Sequence, residues 1–132
     1  MPTIQGRSSA TPYRTDLLLE QGFTSIADAS REDGGQAQGP APGELLAAAL
    51  SACTCITVRM YAAHKQWPLT AVEAVVSFEQ DERHVISRLE RELHLHGELS
   101  PEQRLRLLKI AEQCPIHKTL APAISITTRL AG

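Results

Sequence analysis

Cysteine is the residue type in this chain best suited to covalent chemistry, and it occurs three times. Cys53 and Cys55 stand in Ser-Ala-Cys-Thr-Cys-Ile-Thr-Val over residues 51–58, and Cys114 stands in Glu-Gln-Cys-Pro-Ile-His-Lys-Thr over residues 112–119. A thiolate attacks peroxides and disulfides and ligates metals, whereas a buried thiol is an inert small hydrophobe. Three readings are therefore open: a redox pair, a metal site, or core packing.

Helical residues advance by about 100°, so Cys53 and Cys55 sit roughly 200° apart on nearly opposite faces of any helix that carries them. Only one of them can easily meet a partner from another element. Such a pair also chelates one zinc ion poorly. Pro115 cannot continue a helix that began at Pro101, but it suits the first position of a new one. Cys114 is then the N-cap of a short helix over residues 115–120, with His117 and Lys118 within one turn. The helix dipole and both basic side chains favour a thiolate there. His94 and His96 alternate on one charged strand face, and Cys-Pro-Ile-His resembles half a zinc pair. Structural zinc takes two tight ligand pairs in a recognised spacing, which is missing, so no metal is expected.

The elements that must position these residues follow from pattern. Residues 11–27 read as two short strands around Glu-Gln-Gly. A long Gly/Ala/Pro-rich loop follows, of a length that is usually functional or mobile. Glu44 to Lys65 contains no Gly or Pro and is rich in Ala and Leu, which predicts a helix of roughly 33 Å. It is apolar nearly all round until Arg59, as in a helix buried inside a fold or a dimer. Pro68 ends it.

Two alternating stretches come next. Val72, Ala74, Val76 and Phe78 share one face, and then Leu89, Leu93 and Leu95 face away from Arg88, Glu90, Glu92, His94 and His96. Each is a strand with one wet face. Ser100, Pro101 and Gln103 form a capping box at the start of a second helix, whose buried side is expected at Leu105, Leu108 and Ile110. Ile124, Ile126, Thr128 and Leu130 alternate in a last strand. The order β-β-loop-α-β-β-α-β predicts one α+β domain over residues 1–132.

Composition narrows the functional classes. With 132 residues, 42% hydrophobic and 21% charged, the chain can bury a core without staples. Its net charge of −2, without a basic run, gives no sign of nucleic-acid binding. The first fourteen residues lack the apolar run of a signal peptide. Leu45 to Met60, broken by Ser51, Thr54, Thr57 and Arg59, is too short and polar to predict a membrane span. A cytoplasmic protein is expected, where an odd number of cysteines is catalytic, metal-binding or merely buried.

Taken together, the Ala/Leu-rich helix with Ser-Ala-Cys and the distant Cys-Pro-x-His resemble the OsmC/Ohr family of osmotically induced and organic-hydroperoxide-resistance proteins. The likeness runs from about residue 12 to 130. It implies an intertwined homodimer in which antiparallel sheets wrap long buried central helices, with active sites at the subunit interface. It also implies a peroxidase that needs no cofactor and takes an organic hydroperoxide and a dithiol reductant. Cys53 falls at the peroxidatic position, Cys114 at the resolving one, and Cys55 at neither. Family members with strong hydroperoxidase credentials place a glutamate ten residues before the first cysteine, paired with an N-terminal arginine. Here that position is Gly43, and Glu44 lies nine before. Arg7, Arg14 and Arg31 are the arginine candidates, with Arg14 favoured because it lies in an ordered-looking strand; His117 and Lys118 are the other sources of charge. The alternative is a non-catalytic dimer of the same fold that binds a small hydrophobic ligand at its interface.

Overall fold

The structure is a computed structural model that describes residues 1–9 and 11–132. The order of elements is β1 (Ile4–Ser8), β2 (Thr15–Leu19), β3 (Thr24–Ala27), α1 (Pro42–Lys65), β4 (Leu69–Gln80), β5 (Ile86–Gly97), α2 (Pro101–Ala111), α3 (Pro115–Leu120) and β6 (Ser125–Leu130). The fold is the expected α+β. The chain divides into two compact units, Met1–Leu45 and Leu46–Gly132, and α1 begins in the first and runs through the second.

In the N-terminal unit, β1, β2 and β3 form an antiparallel sheet in that order. β1 was not expected. All five of its residues are exposed, so it lacks the apolar alternation that marks a strand. The loop after β3 is tied down by Asp28, whose carboxylate accepts from the backbone N–H groups of Ala29, Gln36 and Gln38. Gly35 is required in this knot, because a Cβ there would lie 2.1 Å from the Ala29 carbonyl oxygen.

In the C-terminal unit, β4 and β5 form a long antiparallel ribbon, and β6 extends it on the β5 side. The expectation of antiparallel sheets fails at this last pair: β6 runs parallel to β5, with Arg91 beside Thr128 and Leu93 beside Leu130. Two helices, α2 and α3, fill the connection and return the chain to the end where β5 began, as a parallel crossover requires. Ser100 and Gln103 make the capping box that starts α2, at 3.1 and 2.9 Å.

One stripe of α1, namely Ala47, Leu50, Thr54, Val58 and Ala62, is buried in this unit. Its spacing of three and four residues is that of a single helix face. Val58 and Ala62 pack with Leu93, Leu95, Leu107, Ile110 and Ala111. Leu50 packs with Leu89 and Cys114 in a second cluster. The buried side of α2 is Leu107, Ile110 and Ala111; Leu105, expected inside, is 58% exposed. Leu105 lies two residues, and so about 200°, from Leu107.

The other side of α1 stays uncovered: Ala48, Ala52, Ile56 and Met60 are exposed, Ile56 by 55% and Met60 by 67%. By length and composition alone α1 would also serve as a membrane span, contrary to the reading of Leu45 to Met60. Its buried stripe, packed on the sheet side chains, is that of a core helix.

Candidate active site

The alternation of β5 aims every second side chain inward. Leu89, Leu93 and Leu95 are buried there, and so is Arg91, which has no exposed surface. A buried guanidinium must find acceptors for its donors. Arg91 Nε donates to Thr128 Oγ1 at 3.0 Å, and Nη2 donates to the same oxygen at 2.6 Å. Nη1 donates to Thr54 Oγ1 at 2.9 Å, and Nη2 meets His117 Nδ1 at 2.9 Å. Thr54 in turn donates to the Leu50 carbonyl at 2.7 Å, which turns its lone pairs toward the arginine. Arginine only donates, so His117 Nδ1 accepts and its ring proton sits on Nε2.

All of these acceptors are neutral. Among the described residues, no carboxylate makes a salt bridge with Arg91. Burial pushes the Arg91 guanidinium down, and the negative charges that Cys114, Glu112 and Cys53 can carry oppose that shift.

Cys114 is fully buried at the N-cap of α3, where its sulfur accepts from the His117 N–H at 3.3 Å. Cys53, half-buried, packs against the cluster of Leu50, Leu89 and Cys114. Cys55 points elsewhere: its thiol lies 3.7 Å from the Val72 carbonyl of β4. All three cysteines are free thiols.

The electrostatics correct one expectation. Burial, followed by the neighbouring Cys53, pushes the Cys114 thiol up, against the opposing pull of the His117 N–H and Thr54. The helix dipole and basic neighbours do not win, because desolvation penalises the charged form, His117 is itself held neutral, and Lys118 is exposed. Burial likewise raises the Cys55 thiol. His117 is lowered from the usual histidine range by burial and then by the Arg91 charge.

This last shift fixes a pH dependence. The unfolded chain takes up a proton at His117 before the folded one does. Stability from this group is therefore complete above the ordinary histidine pKa of about 6.5 and is lost as pH falls from there toward the depressed folded value. Urea unfolding at pH 7.5 and pH 5.5 should show this loss, and His117→Asn should shrink it. An equal loss in both proteins would contradict the assignment.

Residues 34–129 match the family model for OsmC-like proteins. The chain belongs to the OsmC-like family. No curated protein matches it in sequence. Its fold is close to a putative osmotic stress induced and detoxification response protein from Psychrobacter arcticus, with a TM-score of 0.87, 20% identity and coverage of 99% of this chain and 96% of that one. It is also similar to an organic hydroperoxide resistance protein, OsmC, from Legionella pneumophila, with a TM-score of 0.77, 17% identity and coverage of 100% and 97%. The organic hydroperoxide resistance protein OhrB of Bacillus subtilis matches with a TM-score of 0.70, 19% identity and coverage of 99% and 98%.

In this OsmC-like chain the remaining site candidates have other partners. Glu44 accepts from the Ala41 N–H at 3.0 Å, as a capping glutamate in the first turn of α1. Arg14 donates to Gln38 at 3.1 Å and pairs with Asp16 at 3.2 Å. It lines a cavity of about 800 Å³ in the N-terminal unit with Arg7, Leu17 and Ile26. His94 and His96 pair with Glu92 and Glu73. No group of three potential metal ligands occurs among the described residues. Arg91 escaped the sequence reading, although its register between Leu89 and Leu93 placed it on the inward face.

Proposed function

We propose that this protein is a thiol peroxidase that reduces organic hydroperoxides through Cys53 and Cys114. The observation that carries this reading is a part-buried cysteine packed against a fully buried one, with the buried Arg91 bonded to Thr54 and His117 next to them. Cys53, the less buried of the two, takes the oxidant. Its thiolate attacks the distal peroxide oxygen, the O–O bond breaks, and the alcohol leaves after taking a proton. Cys53 is then a sulfenic acid. Cys114 attacks that sulfur, the S–O bond breaks, water departs, and a disulfide forms. A dithiol restores both thiols and becomes a disulfide itself.

No cofactor is needed for this sequence. Leu50, Leu89, Val76, Phe78 and Ile126 give the cluster an apolar lining that suits an alkyl hydroperoxide better than hydrogen peroxide. Arg14 and Glu44 take no assigned step, since each is engaged elsewhere. The protein acts as a homodimer in the cytoplasm, where the pair is reset by cellular thiols. Support for the dimer comes from the exposed Ala48, Ala52, Ile56 and Met60 face of α1, which a second copy would cover.

Consumption of cumene hydroperoxide with dithiothreitol as donor tests the reading. Turnover faster than the dithiol alone is expected, with hydrogen peroxide the poorer substrate. No turnover would overturn it and leave a ligand-binding OsmC-like dimer in its place.

A further inference from the structure

Arg91 is a full positive charge that no carboxylate among the described residues pairs with, and it is surrounded by Thr54, Thr128 and the neutral face of His117. Four hydrogen bonds use its nitrogens, while the guanidinium offers five N–H groups. Burying such a charge without a counter-ion is costly. The groups nearest to becoming anions are the two thiols, and of these Cys114 is the one shut off from solvent.

Resting on the peroxidase reading, we propose that Arg91 is the counter-ion of Cys114, balancing the charge on its sulfur when it attacks the Cys53 sulfenic acid and again when it leaves the Cys53–Cys114 disulfide. In the second of these steps a donor thiolate attacks the sulfur of Cys53, the less buried of the two cysteines. The S–S bond breaks and its electron pair moves onto Cys114. The second donor thiol then displaces Cys53 from the mixed disulfide, and the donor ends as its own disulfide. Without a cation, a thiolate expelled into the cluster of Leu50 and Leu89 would meet no solvent. Arg91 and the His117 N–H face it from two different elements, β5 and α3. The remaining titratable neighbours are Cys53 on α1, the neutral His117 ring and Glu112.

Arg91 and Cys114 share His117 as a partner: Arg91 Nη2 meets its ring Nδ1 at 2.9 Å, and the Cys114 sulfur accepts from its N–H at 3.3 Å, which puts the charge on the resolving side of the pair. An opposite charge within a few ångströms shifts a thiol by about one to three pKa units. Because thiols of lower pKa leave faster, loss of that charge should slow disulfide opening by at least about tenfold.

The test separates this role from the peroxidase reading by forming the disulfide with diamide, which requires no hydroperoxide. Reopening by dithiothreitol is then timed in the wild type, Arg91→Lys and Arg91→Met. A slowing of about tenfold or more in Arg91→Met, with Arg91→Lys retaining most of the rate, is expected. Oxidation of Cys53 in the Cys114→Ser background should fall much less when Arg91→Met is added. Unchanged reopening overturns the proposal, and so does an equal loss in Cys53 oxidation, which would assign Arg91 to Cys53. A wild-type measurement stands in where Arg91→Met does not fold. Oxidised protein is treated with 2-mercaptoethanol, quenched in acid and mapped. The adduct belongs on Cys53, and an adduct on Cys114 would overturn the leaving-group assignment. If the wild type consumes no hydroperoxide while reopening still depends on Arg91, the peroxidase reading falls and the counter-ion stands.

Discussion

Cys53→Ser is expected to reduce cumene hydroperoxide consumption to the rate of the dithiol alone. A serine hydroxyl in the middle of α1 has no ionised form near neutral pH, so it offers no nucleophile to the peroxide oxygen. The side chains differ little in size and the position is only half-buried, so the fold should tolerate the change. Cys55→Ser is the control, since Cys55 points to the Val72 carbonyl on β4 and away from Cys114. It should leave turnover intact. Residual activity in Cys53→Ser together with loss in Cys55→Ser would exchange the two roles.

Cys114→Ser should fail later in the cycle. Cys53 can still attack peroxide, but no neighbouring sulfur converts the sulfenic acid to a disulfide. One equivalent of hydroperoxide per chain should be consumed, and dimedone should then label Cys53. Sustained turnover with dithiothreitol would show that the donor reduces the sulfenic acid directly and that Cys114 is dispensable. Cys114 is fully buried, so serine leaves a hydroxyl there that keeps the His117 N–H satisfied.

Local signals made much of this arrangement readable from residues alone. Pro115 after Cys114 marked the N-cap, and the sulfur does accept from His117 N–H three positions on. The alternation of β4 and β5 follows directly from one wet and one dry face. The 200° separation of Cys53 and Cys55 sends their sulfurs to different neighbours, one toward α3 and one toward β4.

What remained hidden depends on tertiary context. An arginine is expected in water, so its place in the Leu89–Leu93 register carried no weight until Thr54, Thr128 and His117 came together from α1, β6 and α3. The direction of β6 depends on which end of the ribbon α3 returns to, and six alternating residues do not encode that. The charge state of Cys114 followed from burial, which outweighs a short helix and an exposed lysine. β1 pairs through its backbone while its side chains remain exposed, so nothing in its composition marks it.

The connectivity of the disulfide formed under peroxide tests the central claim most directly. The protein is oxidised with a slight excess of cumene hydroperoxide, its free thiols are alkylated, and the digest is mapped by mass spectrometry. A Cys53–Cys114 bridge within one chain, with Cys55 alkylated, is the predicted result. A Cys55–Cys114 bridge, or full alkylation of Cys53 and Cys114 after exposure to peroxide, would contradict it.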